Sequence, residues 1–203
     1  VFIEAIDRVG LKHFTAKRRY IRVKKTIRAE IGGSWAEFSA HEGTRFEVVI
    51  DFESPAIGRQ EFKSEVDGDV FRNELAEART FGFMKDVERY WAAGFALGSS
   101  LDNSVVICND NNIINPEGLR YTDEFVRHKT LDAGGDLALA GAQILGCFRS
   151  YRGGHKLNAL ALQALLSDTS NYEWSDVSPV NRSSAGRVEL MAVKSPAFAP
   201  EKS

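Results

Sequence analysis

"YIRVKKTIRAEIGGSWAEFSAHEGTRFEVVIDF", residues 20–52, decides how this chain is built. The odd positions Ile21, Val23, Ile27, Ala29 and Ile31 are apolar, with Lys25 the exception. The even positions Tyr20, Arg22, Lys24, Thr26, Arg28 and Glu30 are mostly polar. That is the period of two of a half-buried strand. Gly32–Gly33 reads as a turn, "SWAEFSA" as the returning strand, and "HEGT" as a second turn into "RFEVVIDF". The expectation is an antiparallel meander with one basic face. Such a face serves either as a seat for phosphate or as an ordinary solvated surface, and the residues alone leave both open.

Outward from the meander the pattern changes to helical spacing. "DVFRNELAEAR" and "KDVERYWAAG" read as helices, interrupted by "TFGFM", where Gly82 and its aromatic neighbours break the period. "NSVVICND" and "NIIN" read as short strands, "TDEFVRHKTLDAGGDLALAG" as a helix, "AQILGCFRSY" as a strand and "GHKLNALALQALL" as an amphipathic helix. From Ser167 the chain turns polar, and a loosely packed or disordered tail is expected. Strands mixed with helices and no internal repeat favour an α+β fold, a two-layer sandwich of sheet on helices.

The 203 residues are long enough to bury a proper core, and a hydrophobic share of 43% with 27% charged residues is ordinary for a globular protein. A net charge of −2 gives no reason to expect nucleic acid or an anionic membrane as partner. Two cysteines, Cys108 and Cys147, make no disulfide framework and fit a reducing cytoplasm. The longest apolar run, "LALAGAQILGCF", is too short to span a bilayer. The chain opens on "VFIEAIDRVGL" without a Met or a signal peptide, which reads as a processed or truncated product.

"DEFVRHKTLDAGGD", residues 123–136, gathers the chemistry. As a helix over 122–138 it has Thr122 as N-cap, with Asp123 and Glu124 in its first turn. Val126, Ala133, Leu137 and Ala140 fall on one apolar face, and His128, Asp132 and Asp136, spaced by four, stack in a row along its border. Partial desolvation there is costly unless something positive is bound. Gly134 and Gly135 each cost about 1 kcal/mol in a helix interior and point to close approach of another element. An imidazole and a carboxylate one turn apart form either a two-ligand zinc clip or a plain salt-bridge row. A catalytic zinc takes three protein ligands, so two leave it short. In "YRGGHK", residues 151–156, Gly153 and Gly154 place His155 at a helix start, where it is either a capping histidine or one kept charged by Asp136 across a helix pair.

"RTFGFMKDVE" (79–88), "LDNSVVI" (101–107), "GLRYTDEFVRHKTLDAGGDL" (118–137) and "YRGGHKLN" (151–158), in this order, closely resemble the UDP-3-O-acyl-N-acetylglucosamine deacetylase family. The resemblance runs from near Val1 to about Leu166. It implies a zinc amidase of lipid A biosynthesis with two similar α/β domains and the active site between them. This chain then corresponds to the terminal helix of a first domain it does not contain (1–11), a linker (12–17), the second sandwich domain (18–170) with an acyl-chain-lining insert near 86–117, and an irregular tail (171–203). His128 and Asp132 match zinc ligands, with Fe2+ as the alternative metal. Lys129 and Thr80 match groups at the developing oxyanion. His155 matches the general acid toward the leaving amine, with Asp136 holding and charging it. Phe81, Phe83 and Asp86 match substrate contacts, and Val87, Ala96, Ser99 and Ser100 fall in the acyl-lining region.

One departure stands out. The family's third zinc ligand is a His directly after the general-base Glu, both in the first domain. None of His13, His41, His128 and His155 follows a Glu, and His41–Glu42 has the reverse order. The expectation is a fragment inactive by itself. The alternative is a catalytically silent half that binds an acylated sugar nucleotide or a partner domain.

Overall fold

The computed structural model describes residues 2–11 and 17–176. Among the described residues nine strands run β1 (Tyr20–Val23), β2 (Ile27–Ile31), β3 (Ser34–Ser39), β4 (Thr44–Asp51), β5 (Arg59–Glu65), β6 (Thr80–Phe83), β7 (Ser104–Ile107), β8 (Gln143–Tyr151) and β9 (Tyr172–Ser175). The helices are α1 (Phe2–Val9), α2 (Gly68–Val70, continuing as a π turn over Phe71–Leu75), α3 (Met84–Ala92), α4 (Glu124–Leu137) and α5 (His155–Leu166). The linker residues 12–16, with His13, and the tail beyond 176 lie outside the described residues.

The run expected as one strand from Tyr20 is two. A lysine at position 25 of an apolar row cannot enter the core, and the chain breaks there, leaving Lys24, Lys25 and Thr26 exposed. The Lys24 N–H donates to Asn171 O at 2.8 Å, and Lys25 Nζ to Ser170 Oγ at 2.7 Å. The β2–β3 hairpin forms as expected, since Gly32 and Gly33 both take the positive φ that a two-residue turn requires.

Beyond that hairpin the meander is not found. β8 inserts between β3 and β4, antiparallel to β3 (Phe38↔Phe148) and parallel to β4 (Phe46↔Phe148). Its residues Ile144–Phe148 are all buried, as a strand with neighbours on both edges and cover on its face demands. β1 pairs parallel with the start of β8, and β5 lies outside β4. β5 had no sequence signal because Phe62 is its one buried residue. β9 adds to β1 as an antiparallel edge, so the segment expected to be irregular from Ser167 contributes a seventh strand. The "TFGFM" interruption is itself strand β6, paired parallel with β7 in a separate two-stranded sheet.

The core lies between the seven-stranded sheet and α4 and α5. Phe38, Phe46 and Phe148 stack tilted rings at 5.2 and 5.8 Å on the sheet. Phe125, Val126, Ala133 and Leu137 of α4 and Leu157, Ala161, Leu162 and Leu165 of α5 meet them. The apolar face expected of α4 is present, whereas the expected close approach at its glycines is not. A methyl at Gly134 would come no nearer than 4.0 Å to Phe46, and one at Gly135 would meet open space. α1 buries no residue and is tied by an ion pair from Asp7 to Arg72. Among the described residues no helix is long and apolar enough to cross a membrane.

Candidate active site

α4 is anchored differently from expectation. Its N-cap is Asp123 rather than Thr122, and the Asp123 carboxylate turns to Arg127 Nε at 2.5 Å instead of capping. The helix start is held by Glu124, fully buried, whose carboxylate accepts from Arg79 and from the Arg120 N–H. One turn on, His128 and Lys129 emerge into a cleft of about 460 Å³. Its walls carry Thr80, Phe81, Gly82 and Phe83 of β6, Asp86 and Tyr90 of α3, Asp132, His155 and Phe52.

The row along α4 is desolvated as its angular position predicts, with side chains of His128, Asp132 and Asp136 only 14%, 15% and 21% exposed. His128 Nε2 stands 3.3 Å from Asp132 Oδ1, while Lys129 Nζ donates to Asp132 Oδ2 at 3.1 Å. Burial pushes the His128 imidazole below its ordinary value of 6.5, against the pull of Asp132, which favours the neutral ring. Its Nδ1 is buried and has no hydrogen-bond partner among the described residues. Phe81 packs edge-on against Phe125 at 4.9 Å and against the His128 ring at 6.1 Å, with Lys129 Nζ 5.7 Å from its centre.

Across the cleft, α5 starts at His155 with Gly154 as N-cap, as the glycine pair implies. His155 Nδ1 lies 2.9 Å from Asp136 Oδ2, so the ring donates Nδ1–H to the carboxylate and Nε2 faces the cleft, 3.9 Å from Asp132. Asn158, buried three residues further along α5, donates Nδ2–H to the same Asp136 oxygen at 2.9 Å. Sequence reasoning missed Asn158, although its i+3 spacing from His155 would have put both on one helix face. It also missed Phe52, which carries no signal outside the folded cleft, while Tyr90 lies in the segment matched to the acyl-lining insert.

The structure thus brings Thr80, Phe81, Phe83, Asp86, His128, Lys129, Asp132 and His155 to one cleft, with Asp136 behind His155. Val87, Ala96, Ser99 and Ser100 do not line it. Val87 lies 3.5 Å from where a side chain at Gly82 would sit, and the other three belong to the loop from α3 to β7. His41 does not join them but pairs with Glu65 at 2.5 Å on the surface. A metal fits His128 and Asp132 in part. Donor atoms on a tetrahedral zinc, bonded at about 2.0–2.2 Å, stand roughly 3.3–3.6 Å apart, and the neutral ring is the form that ligates. Among the described residues no third His, Cys, Asp or Glu joins them to complete a metal-holding set.

A mixed sheet carrying two helices, with a histidine–carboxylate pair and a second aspartate-held histidine facing it, defines an α+β protein whose cleft is lined by titratable side chains. Residues 1–167 match the family described as LpxC, UDP-3-O-acyl N-acetylglycosamine deacetylase, and the chain belongs to that family. It is 66% identical over 172 residues to proteins named UDP-3-O-acyl-N-acetylglucosamine deacetylase from Brucella ovis, Brucella canis and Brucella melitensis. The match covers 85% of this chain and 60% of those relatives.

Proposed function

We propose that this chain is the second domain, a two-layer α/β sandwich, of a cytoplasmic zinc-dependent enzyme. That enzyme removes the N-acetyl group of UDP-3-O-acyl-N-acetylglucosamine in lipid A biosynthesis. The observation that carries the reading is the convergence of His128, Asp132, Lys129 and His155 on one cleft in a chain of this family. His128 and Asp132 would hold the metal, which when bound polarises the acetamide carbonyl and acidifies water. Lys129, fixed by Asp132 and lying over Phe81, sets a positive charge where the carbonyl oxygen becomes negative, and the Thr80 hydroxyl stands ready to donate to it. His155, with Nδ1–H held by Asp136, presents Nε2 to protonate the departing amine nitrogen.

A second pocket of about 490 Å³ shares Phe52 and Phe83 with the first, and its wall carries Lys85 and Arg152, cations within reach of a diphosphate. Tyr90, Trp91, Phe95, Leu97 and Leu101 leave apolar surface beside the cleft suited to an acyl chain. The general base and third metal ligand belong, on this reading, to a preceding domain. The two-donor metal set favours an isolated chain that binds zinc weakly and does not hydrolyse. The test joins this chain to the rest of a full-length relative: one zinc per chain is expected, with activity abolished by His128→Ala. Normal turnover by that variant, or activity of the isolated chain, would remove the reading.

A further inference from the structure

Beneath the cleft lies a buried charge cluster that the proposed hydrolysis does not use. Arg79 is 4% and Glu124 0% exposed. The Glu124 carboxylate accepts four hydrogen bonds: from the Arg79 N–H at 2.9 Å, Arg79 Nε at 2.9 Å, Arg79 Nη2 at 3.1 Å and the Arg120 N–H at 2.8 Å. Arg79 Nη2 also donates to Gly118 O at 2.7 Å, and Nη1 pairs with Glu117. Such a pair adds little stability over an apolar pair of similar volume, so stability alone gives no reason for it.

Its geometry does. Glu124 opens α4 one turn before His128, and Arg79 directly precedes Thr80, the first residue of β6. Backbone and side chain of the same residue grip one carboxylate, which forbids β6 from sliding along α4. A slip of one residue would turn Thr80 and Phe81 to opposite faces. We propose that Arg79 and Glu124 are positioning residues that hold Thr80 and Phe81 in register with His128 and Lys129. The assignment rests on the deacetylase reading of the cleft, although the register itself is measurable without it.

In the present chain, the NMR cross-relaxation between the Phe81 and His128 rings, edge-on at 6.1 Å, reports the register. It is expected to vanish in Arg79→Lys, which keeps the charge but not the fork, and in Glu124→Gln, while the backbone chemical shifts of α4 remain helical. In the full-length enzyme, each variant is expected to lose about 100-fold in kcat, as a misplacement of about 1 Å does, with zinc content unchanged. Thr80→Ala alone is expected to lose a comparable factor of about 100. The double variant Thr80→Ala/Glu124→Gln should then stay near 100-fold rather than reach about 10,000-fold, because both changes remove the same contact. Multiplying losses, an intact ring–ring signal in folded Arg79→Lys, or collapse of the fold in that charge-preserving variant would each overturn the proposal. An inactive wild-type enzyme would instead overturn the deacetylase reading and leave the ring–ring signal to decide the register.

Discussion

Asn158 illustrates how a single side chain can serve a site at some cost to the fold. Its Nδ2–H is committed to Asp136, and its Oδ1 is buried with no partner among the described residues. A hydrogen bond to a charged group contributes about 1.5–3 kcal/mol, and an orphaned acceptor costs about 1–3 kcal/mol. The two nearly cancel, so the residue orients Asp136 and His155 more than it stabilises the chain. Asn158→Ala is therefore expected to lower unfolding free energy by only about 1 kcal/mol in urea melts. A loss above about 3 kcal/mol would mean that the oxygen is satisfied and the side chain structural.

At the scale of elements, α4 is joined to the segment before β6 by a buried ion pair as well as by the apolar core that Leu75 shares with Phe125 and Val126. Burial by itself would raise the Glu124 carboxyl, but hydrogen bonds from Arg79 and Arg120 outweigh it and hold the group below its ordinary 4.5. A carboxyl lowered on folding binds fewer protons in the native state than in the unfolded one. Its contribution is thus complete above pH 4.5 and lost as pH falls below it. Glu124→Gln, which breaks a buried pair, is expected to cost about 3–5 kcal/mol at pH 7. The gap to wild type should narrow steadily in urea melts taken from pH 5 to pH 3, and parallel stability curves over that range would reject the assignment.

For the whole molecule, the edge strand that completes the seven-stranded sheet, β9, comes after α4 and α5 in the chain. β9 covers the edge of β1, where Tyr172 packs against the core and Trp174 lies under the Arg19 guanidinium at 4.3 Å. Removing residues 172–203 would bare the β1 edge and the Tyr172 contact. We expect a loss of about 2 kcal/mol, the value of burying one large side chain, with association through the open edge. Calorimetry and light scattering check this. An unchanged melting temperature would mean that β9 is decorative.

Much of the chain was legible in sequence wherever the signal was local. The Gly32–Gly33 hairpin, the apolar face of α4, the strand at Gln143 and the helix start at His155 follow from turn chemistry and periodicity, which act between near neighbours. The row His128, Asp132, Asp136 was legible for the same reason, since the α-helical repeat places side chains four apart on one face. The break at Lys25, the insertion of β8 between β3 and β4, the strands β5 and β9, and the grip of Arg79 on Glu124 were not. Each depends on a partner tens of residues away. Local periodicity records which face of an element is apolar, whereas strand order and buried ion pairs are settled only when distant segments compete for the same core.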